Sequence, residues 1–236
     1  MNGDGPMFIS RNMTRGVVTA SPDSPVHEVE SLMRDADIRH VPVVDGEGIL
    51  LGMVTDRDIR SAMPSKLLCE AVDNGEMARF RALRADAIMS ANPHVITSAD
   101  TIQDALLLIQ KHKVGALPVV DGDKKLVGIV SVRDLLSSFV NVLGLGEPGT
   151  LLCILAPDRQ GELKRIVDLI TAEGVSTGSI LVARYWEEGR RAVFPYVFSI
   201  SVGPLKKKLR DAGYDLLDPM QWYLDNRGAV VKGDDK

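Results

Sequence analysis

The sequence predicts an α/β protein with two copies of a β-α-β-β-α unit, followed by a smaller domain of β-α-β-β-α-β order. Three observations support this prediction. The phrase GMVTDRDI at 52–59 returns as GIVSVRDL at 128–135, an offset of 76 residues. Under this offset, residues 41–59 and 117–135 are identical at ten of 19 positions. Beyond residue 149, helical and strand periodicities alternate once more.

Each copy has the same order of elements. It begins with a short extended stretch, VVTAS at 17–21 and VITSA at 95–99. Apolar residues at helical spacing follow, over 24–37 in the first copy and after residue 100 in the second. The runs HVPVVD and ALPVVD end at Asp-Gly, which predicts a hairpin into LLGMV and LVGIV. A closing helix then begins with RDI or RDL.

Composition excludes several classes of protein. The 236 residues carry a formal net charge of −4, whereas a nucleic-acid binder usually has a basic domain or stripe. No apolar run approaches the roughly 20 residues of a membrane helix, and MNGDGPMFIS lacks the plan of a signal peptide. Cys69 and Cys153 are far apart, so we expect two buried thiols rather than a disulfide. These features predict a cytoplasmic protein.

The repeated phrase places a hydroxyl and a carboxylate three residues apart where a strand meets a helix. The hydroxyl can bond a phosphate, and the carboxylate can accept both hydroxyls of a ribose. The pairs are Thr55 with Asp58 and Ser131 with Asp134, and the glycines before them, Gly52 and Gly128, would let a ligand approach the backbone. The same spacing is also a helix capping box, which needs no ligand. Both interpretations stay open.

The paired PVVDG…G[MI]V[TS]xRD signature resembles the CBS domain family over roughly 11–141. This resemblance implies two units packed as one Bateman module, a pseudo-twofold pair with two clefts for adenosine ligands. It places ribose and phosphate at the two hydroxyl–carboxylate pairs. Further positions that it implies near the ligand are Val18, Thr19, Ile96 and Thr97 beside the adenine, Pro42 and Pro118 at the strand starts, and Arg39, His40, Arg57 and Arg133 near the phosphates.

The two clefts are not expected to be equivalent. Arg39 and His40 in the first copy correspond to Gly115 and Ala116 in the second. The first cleft therefore suits a polyphosphate, and the second a ligand of lower charge.

The C-terminal region predicts strands at LLCILA, SILVARYW and AVFPYVFSISV, and helices at 162–172 and PLKKKLRDAG. This ferredoxin-like order, with DRQGEL and EGVSTGSI, resembles the ACT domain family. That resemblance implies an amino-acid site at Asp158, Gly161 and Ser176, although a dimerisation role is favoured. A CBS pair followed by an ACT domain resembles the AcuB-type acetoin-utilisation proteins.

The predicted domains follow from these patterns. They are a flexible N-terminus at 1–10, CBS repeat 1 at 11–62, a helical segment at 63–88, CBS repeat 2 at 89–141, a linker at 142–148, an ACT-like domain at 149–223 and a tail at 224–236. No spacing of the four histidines or of a serine nucleophile indicates a metal or catalytic site, so no enzyme is predicted.

The predicted function is that of a regulatory sensor. Its ligand is AMP, ADP, ATP or a relative such as NAD or S-adenosylmethionine, and the signal passes to the ACT-like domain or to a partner. A homodimer is expected, with no nucleic acid or membrane involved. The alternatives are a dimeric interaction scaffold without nucleotide and an amino-acid sensor acting through the ACT-like domain.

Overall fold

The computed structural model describes residues 7–63, 80 and 82–217, and the chain divides into a first unit at 1–138 and a second unit at 139–236. Most of the predicted segment 63–88 and the whole of the predicted tail 224–236 lie outside the described residues. Among the described helices, none combines the length and the hydropathy that crossing a membrane requires.

Repeat 1 contains one helix, a hairpin and a second helix. These elements are α2 (Val26–Asp35), β1 (His40–Val44), β2 (Leu50–Thr55) and α3 (Asp56–Ala62), preceded by the short α1 (Ile9–Asn12). The apolar spacing of α2 buries Val26, Val29 and Met33 against the buried valines of β1, as the sequence predicted. The extended stretch at 17–21 contributes a parallel bridge from Ala20 to Val43 rather than a full strand.

Repeat 2 follows the same plan. Its elements are α4 (Ala85–Ile88), β3 (Ser90–Ala91), β4 (Ile96–Thr97), α5 (Ile102–His112), β5 (Ala116–Val120), β6 (Leu126–Ser131) and α6 (Val132–Val142). Both predicted Asp-Gly hairpins are confirmed. Asp45 accepts hydrogen bonds from the backbone amides of Glu47 and Ile49, and Asp121 accepts those of Asp123 and Lys125.

The segment before each repeat packs on the other repeat. The Ile9 amide of α1 donates to the Asp100 carbonyl, and the Ile102 amide donates to the Met7 carbonyl. The segment 76 residues later packs on repeat 1 in the same way, since the Ala85 amide of α4 donates to the Ser24 carbonyl. Residues 8–10 thus belong to a packed segment, with Ile9 fully buried, rather than to the flexible N-terminus expected from the sequence. This exchange links the two repeats.

The second unit has the predicted β-α-β-β-α-β order, with its first strand broken in two. Its elements are β7 (Thr150–Leu151), β8 (Ile154–Pro157), α7 (Glu162–Ala172), β9 (Thr177–Glu187), β10 (Arg190–Val197), α8 (Gly203–Asp211) and β11 (Asp215–Leu216). The antiparallel sheet runs β11-β8-β10-β9, with β7 beside the end of β10. Buried residues of α7 and α8 cover β8 and β10, a ferredoxin-like arrangement.

Candidate functional site

The two repeated phrases fold as helix capping boxes. The Asp58 carboxylate accepts the Thr55 amide at 2.8 Å and the Thr55 hydroxyl at 2.7 Å, and the Asp58 amide donates back to that hydroxyl at 3.3 Å. Asp134 and Ser131 repeat this pattern at 2.8, 2.6 and 3.3 Å. In both pairs the carboxylate uses the same oxygen, Oδ2, for these bonds. The capping interpretation therefore describes the structure without a ligand.

A third capping box shows that this geometry is not specific to a ligand. At the start of α5, Asp104 accepts the Thr101 amide at 2.9 Å and the Thr101 hydroxyl at 2.6 Å. These bonds hold the pKa of Asp104 below its usual value. Because the same bonds form at a helix outside the repeated phrase, the caps alone do not assign a function.

The structure brings the two phrases to one face of the first unit. Thr55 lies opposite His40 in the β1–β2 register, and Ser131 lies opposite Ala116 in the β5–β6 register. The His40 imidazole reaches the other repeat, where its Nε2 lies 2.7 Å from the position that a Cβ on Gly115 would take. The two hydroxyl–carboxylate pairs thus flank a junction formed by the starts of β1 and β5.

His40 gives this junction a neutral polar group. Burial lowers the pKa of the imidazole, and the carboxylate of Asp56 opposes that shift. Arg39 also lowers the pKa of His40, whereas Asp58 raises it. Since the net shift is downward, His40 is uncharged at neutral pH and can offer one donor and one acceptor.

Two of the predicted adenine-side residues, Thr19 and Thr97, lie toward the other end of the sheets. β1 has five residues, so its two ends are about 13 Å apart. Thr19 lines two cavities of about 260 and 410 Å³ at the hairpin end, whereas Thr55 faces His40 at the opposite end. In repeat 2, Thr97 likewise lies beside Val120, at the hairpin end of β5.

The remaining predicted lining residues differ in exposure. Pro42, Ile96 and Pro118 are buried in the sheets, Val18 is half-buried, and Arg39 and Arg57 are exposed. Burial makes the two prolines structural residues of β1 and β5 rather than open ligand contacts.

The glycines before the phrases have a packing role, which corrects the expectation that they admit a ligand. A Cβ on Gly128 would lie 2.6 Å from Sδ of Met13, and one on Gly52 would lie 2.8 Å from Cγ of Met89. Met13 and Met89 belong to the segments exchanged between the repeats. The space over each glycine is therefore occupied by a methionine side chain.

In the second unit, the three residues predicted for an amino acid lie around the start of α7 and the start of β9. Asp158 pairs with Arg191, Gly161 has a φ of +91° at the N-cap of α7, and Ser176 is exposed. The Ser176 carbonyl accepts the Phe198 amide at 2.9 Å. The structure thus places an ion pair at Asp158, one of the three residues of the amino-acid site that the ACT resemblance implies.

A buried carboxylate next to that loop was missed by the sequence analysis. Glu162 is 4% exposed and accepts the Tyr214 hydroxyl at 2.7 Å and Nε of Arg159 at 2.6 Å. These bonds lower the pKa of Glu162, while burial raises the pKa of Tyr214 to about 12. Nothing in the sequence separates Glu162 from a surface residue in the first turn of a helix.

Comparison with known proteins decides the family. The CBS domain profile matches residues 9–65 and 85–141. A CBS domain-containing protein of Dictyostelium discoideum is 31% identical over 137 residues, which are 58% of this chain and 94% of that protein.

The chain belongs to the CBS domain family.

Two solved structures are similar to this CBS protein. One, from Vibrio cholerae and provisionally described as an acetoin utilization protein (AcuB), is 30% identical. The similarity has a TM-score of 0.49 and covers 60% of this chain and 98% of that one. The other is CBSX2 of Arabidopsis thaliana in complex with AMP, at 22% identity and a TM-score of 0.49. That comparison covers 58% of this chain and 98% of CBSX2.

The junction between the CBS repeats contains one ion pair that the sequence analysis missed. NH1 of Arg133, in the second phrase, lies 3.7 Å from the Asp37 carboxylate, which follows α2 of repeat 1. The 76-residue offset pairs Asp37 with Lys113, so a comparison of charged positions between the repeats would have revealed this change from carboxylate to ammonium. The two halves of the CBS pair are therefore charged differently.

Within 7–63, 80 and 82–217, no group of three or more His, Cys, Asp or Glu side chains is placed to hold a metal ion. The expectation of buried thiols is confirmed for Cys153, which is 8% exposed, whereas Cys69 lies outside the described residues.

Proposed function

We propose that this CBS protein is a non-catalytic, cytoplasmic sensor that binds an adenosine-containing ligand at the junction between its repeats. AMP, ADP, ATP and relatives such as NAD and S-adenosylmethionine share the groups that this junction can recognise. The observation that carries the proposal is the meeting of two hydroxyl–carboxylate pairs on one face, around His40. CBSX2 has been crystallised with AMP, but the proposal for this chain rests on its own residues.

Capping and ligand binding are compatible in this geometry. In the described part of the chain, the caps use Oδ2 of Asp58 and Asp134, and no hydrogen bond is made to either Oδ1. A carboxylate oxygen that is not needed by the helix can accept a ribose hydroxyl. The exposed guanidinium groups of Arg39 and Arg57 can bond a phosphate.

The ligand would act by selecting one arrangement of the two repeats. Such a switch requires that the ligand bind the two arrangements with different affinity. The exchanged segments α1 and α4 suit this role, because a shift between the repeats changes their contacts. We propose the second unit, which is ACT-like in its order of elements, or a regulated partner as the receiver of the signal.

The first test is thermal unfolding with AMP, ADP, ATP, NAD and S-adenosylmethionine. A ligand at 100 times its dissociation constant adds about 2.7 kcal/mol to the free energy of unfolding. The Asp58→Ala, Asp134→Ala double variant should lose this ligand-dependent shift. It should also lose about 1 kcal/mol of intrinsic stability at each helix start, because the carboxylate bonds are lost while the Thr55 and Ser131 hydroxyls still cap the helices.

Asp104→Ala is the matched control for the caps. It removes the same set of bonds from α5, and nine residues of helix place Asp104 about 14 Å from Lys113 at the junction. We expect this variant to be destabilised yet to keep the full ligand shift. A ligand shift that survives in a folded double variant would show that Asp58 and Asp134 do not hold the ligand, and the proposed site would be wrong. If no ligand shifts the wild type, the sensor proposal is wrong and the scaffold alternative gains support.

Homodimerisation is part of the same proposal. Among the described strands, β9 (11 residues) pairs only with β10, so its other edge carries the unpaired amide and carbonyl groups of alternate residues. Leu181 on this strand is 49% exposed. Such an edge is a template for another strand, and a second copy of the chain can supply it in twofold symmetry. Light scattering should return a dimer, and a monomer at micromolar concentration would contradict this expectation.

The amino-acid sensor is the weaker alternative. Asp158 is already paired with Arg191, so a ligand amine would have to displace a guanidinium. A link to acetoin utilisation rests on the resemblance to AcuB-type proteins. Adding single amino acids in the thermal assay tests the amino-acid sensor directly. A stability shift with an amino acid in the Asp58→Ala, Asp134→Ala variant would favour this alternative.

A further inference from the structure

The internal repeat assigns a counterpart to each charged residue at the junction. Asp37 and Lys113 are such a pair, since 37 plus 76 gives 113. Both follow the long helix of their repeat, and both have positive φ values, 50° and 55°. The two residues therefore occupy equivalent backbone positions and differ in the sign of their charge.

Asp37 already shows what this position contacts. Its carboxylate lies 3.7 Å from NH1 of Arg133, the arginine of the second phrase, and both side chains are largely exposed. The counterpart of Arg133 is Arg57, so the same geometry in the other half directs Lys113 toward Arg57. By this internal symmetry, one arginine has a carboxylate beside it and the other would have an ammonium group.

The neighbouring positions add to this difference. The cleft of repeat 1 combines Thr55 and Asp58 with Arg39, His40 and Arg57, whereas the cleft of repeat 2 combines Ser131 and Asp134 with Gly115, Ala116 and Arg133. With Lys113 the first cleft has three cations besides the neutral His40. It also carries the Asp56 carboxylate, which pairs with Arg60 at 2.9 Å. In the second, Asp37 neutralises the single arginine and repels an anion. A cation within a few ångströms raises the affinity for a phosphate, and an anion at that distance lowers it.

We propose that Lys113 and Asp37 determine how much negative charge each cleft accepts on its ligand. A nucleoside di- or triphosphate then binds in the cleft of repeat 1 and is rejected from that of repeat 2. The inference rests on the proposed adenosine function and deepens it. The second cleft is left for an uncharged adenosine derivative. Lys113 and Asp37 are specificity-determining residues here.

The two charge exchanges are well matched as tests. Lys113→Asp and Asp37→Lys each install the residue that the other repeat already carries at the same backbone conformation. Aspartate also tolerates the left-handed conformation better than most residues. Both side chains are exposed, so neither change removes packing.

Isothermal titration of the full chain with ATP, and separately with adenosine, separates the outcomes. Wild type should bind a single ATP per chain. Lys113→Asp should weaken ATP about tenfold while leaving adenosine binding within about twofold, because only ATP carries phosphate charge. Asp37→Lys should add a second ATP per chain.

Each contrary result has a distinct meaning. This inference is overturned if the wild type binds ATP at two equal sites. It is also overturned if Lys113→Asp keeps its ATP affinity and Asp37→Lys keeps its stoichiometry. Both results leave the sensor function standing. No binding of ATP or adenosine to any of the three proteins would also overturn this inference. The sensor function falls with it if AMP, ADP, NAD and S-adenosylmethionine leave the thermal unfolding of the wild type unchanged.

Discussion

Gly52 and Gly128 are glycines because of what packs on them. Each lies under a methionine from the segment before the other repeat, at distances that leave no room for a Cβ. Gly52→Ala should therefore lower the free energy of unfolding by about 1–3 kcal/mol, the usual cost of overpacking. Urea unfolding followed by circular dichroism measures this loss.

Gly46→Ala is the control for that substitution. Nothing lies within 4 Å of a Cβ on Gly46, and its φ is not positive. We expect a change within about 0.5 kcal/mol, or a slight gain because alanine restricts the unfolded chain. Equal losses at the two glycines would show that the methionine contact is not the cause.

Glu162 makes a pH-dependent contribution to stability. The Tyr214 hydroxyl and the Arg159 guanidinium hold the pKa of this carboxyl below its usual value. A lowered folded-state pKa means that the stabilisation is present above the unfolded pKa and is lost as the pH falls through the folded one. Tyr214→Phe should destabilise the protein at pH 7, and its difference from wild type should shrink as the pH falls below about 4.

Fluorescence reports this effect locally, since both tryptophans, Trp186 and Trp222, lie in the second unit. Tyr196→Phe is the matched control, because its hydroxyl donates to the Glu147 carbonyl at 2.6 Å and to no carboxylate. Its difference from wild type should not depend on acid pH. A pH-independent difference for Tyr214→Phe would contradict the assignment to Glu162.

Residue chemistry was only partly predictable from the sequence. The hydroxyl–carboxylate pairs were identifiable because both members recur at one offset, and the structure brings them to one face. The roles of Met13 and Met89 depend on which repeat each segment packs against. The residues next to each methionine in the sequence do not indicate this. Asp37 and Lys113 escaped attention because the comparison favoured positions that stay the same, whereas these two change sign.

At the scale of elements, the exchanged segments link stability across the repeats. Ile9 of α1 is fully buried, and α1 is held to the residues that begin α5. Ile9→Ala should cost about 2–5 kcal/mol, as is usual for a buried isoleucine. Because the contacts run to repeat 2, hydrogen exchange should accelerate more in α5 than in α2, although α2 is nearer in sequence.

Leu107→Ala provides the comparison for this element. Leu107 lies on α5 itself but is 64% exposed, so its truncation should change little. Equal loss of protection in α2 and α5 after Ile9→Ala would mean that the two repeats open together. The contact between α1 and the start of α5 would then not determine where hydrogen exchange accelerates.

Element prediction succeeded where local signals were strong. The predicted helix 162–172 is confirmed at both ends, where Gly161 and Gly174 take positive φ values. The predicted strand LLCILA is instead split, because β7 pairs with the end of β10 while β8 pairs with its start and with β11. The four-residue helix α1 was missed, since tertiary contacts rather than local periodicity stabilise it, whereas α4 falls within the predicted helical segment 63–88.

At the scale of the whole molecule, the sensor proposal requires the second unit to respond to a ligand bound in the first. A ligand bound only by the folded first unit stabilises that unit by mass action. The second unit gains stability only if its folding is coupled to the first. Urea unfolding with ATP can separate these responses, because circular dichroism follows both units whereas tryptophan fluorescence follows the second alone.

We expect ATP to raise the midpoint reported by fluorescence as well as the one reported by circular dichroism. The Asp58→Ala, Asp134→Ala variant is the control, since it should show neither increase. A fluorescence midpoint that stays fixed while the circular dichroism midpoint rises would show that the nucleotide is bound but not transmitted to the second unit. The receiver of the signal would then be a separate partner, because a ligand can shift only an equilibrium to which its binding is linked.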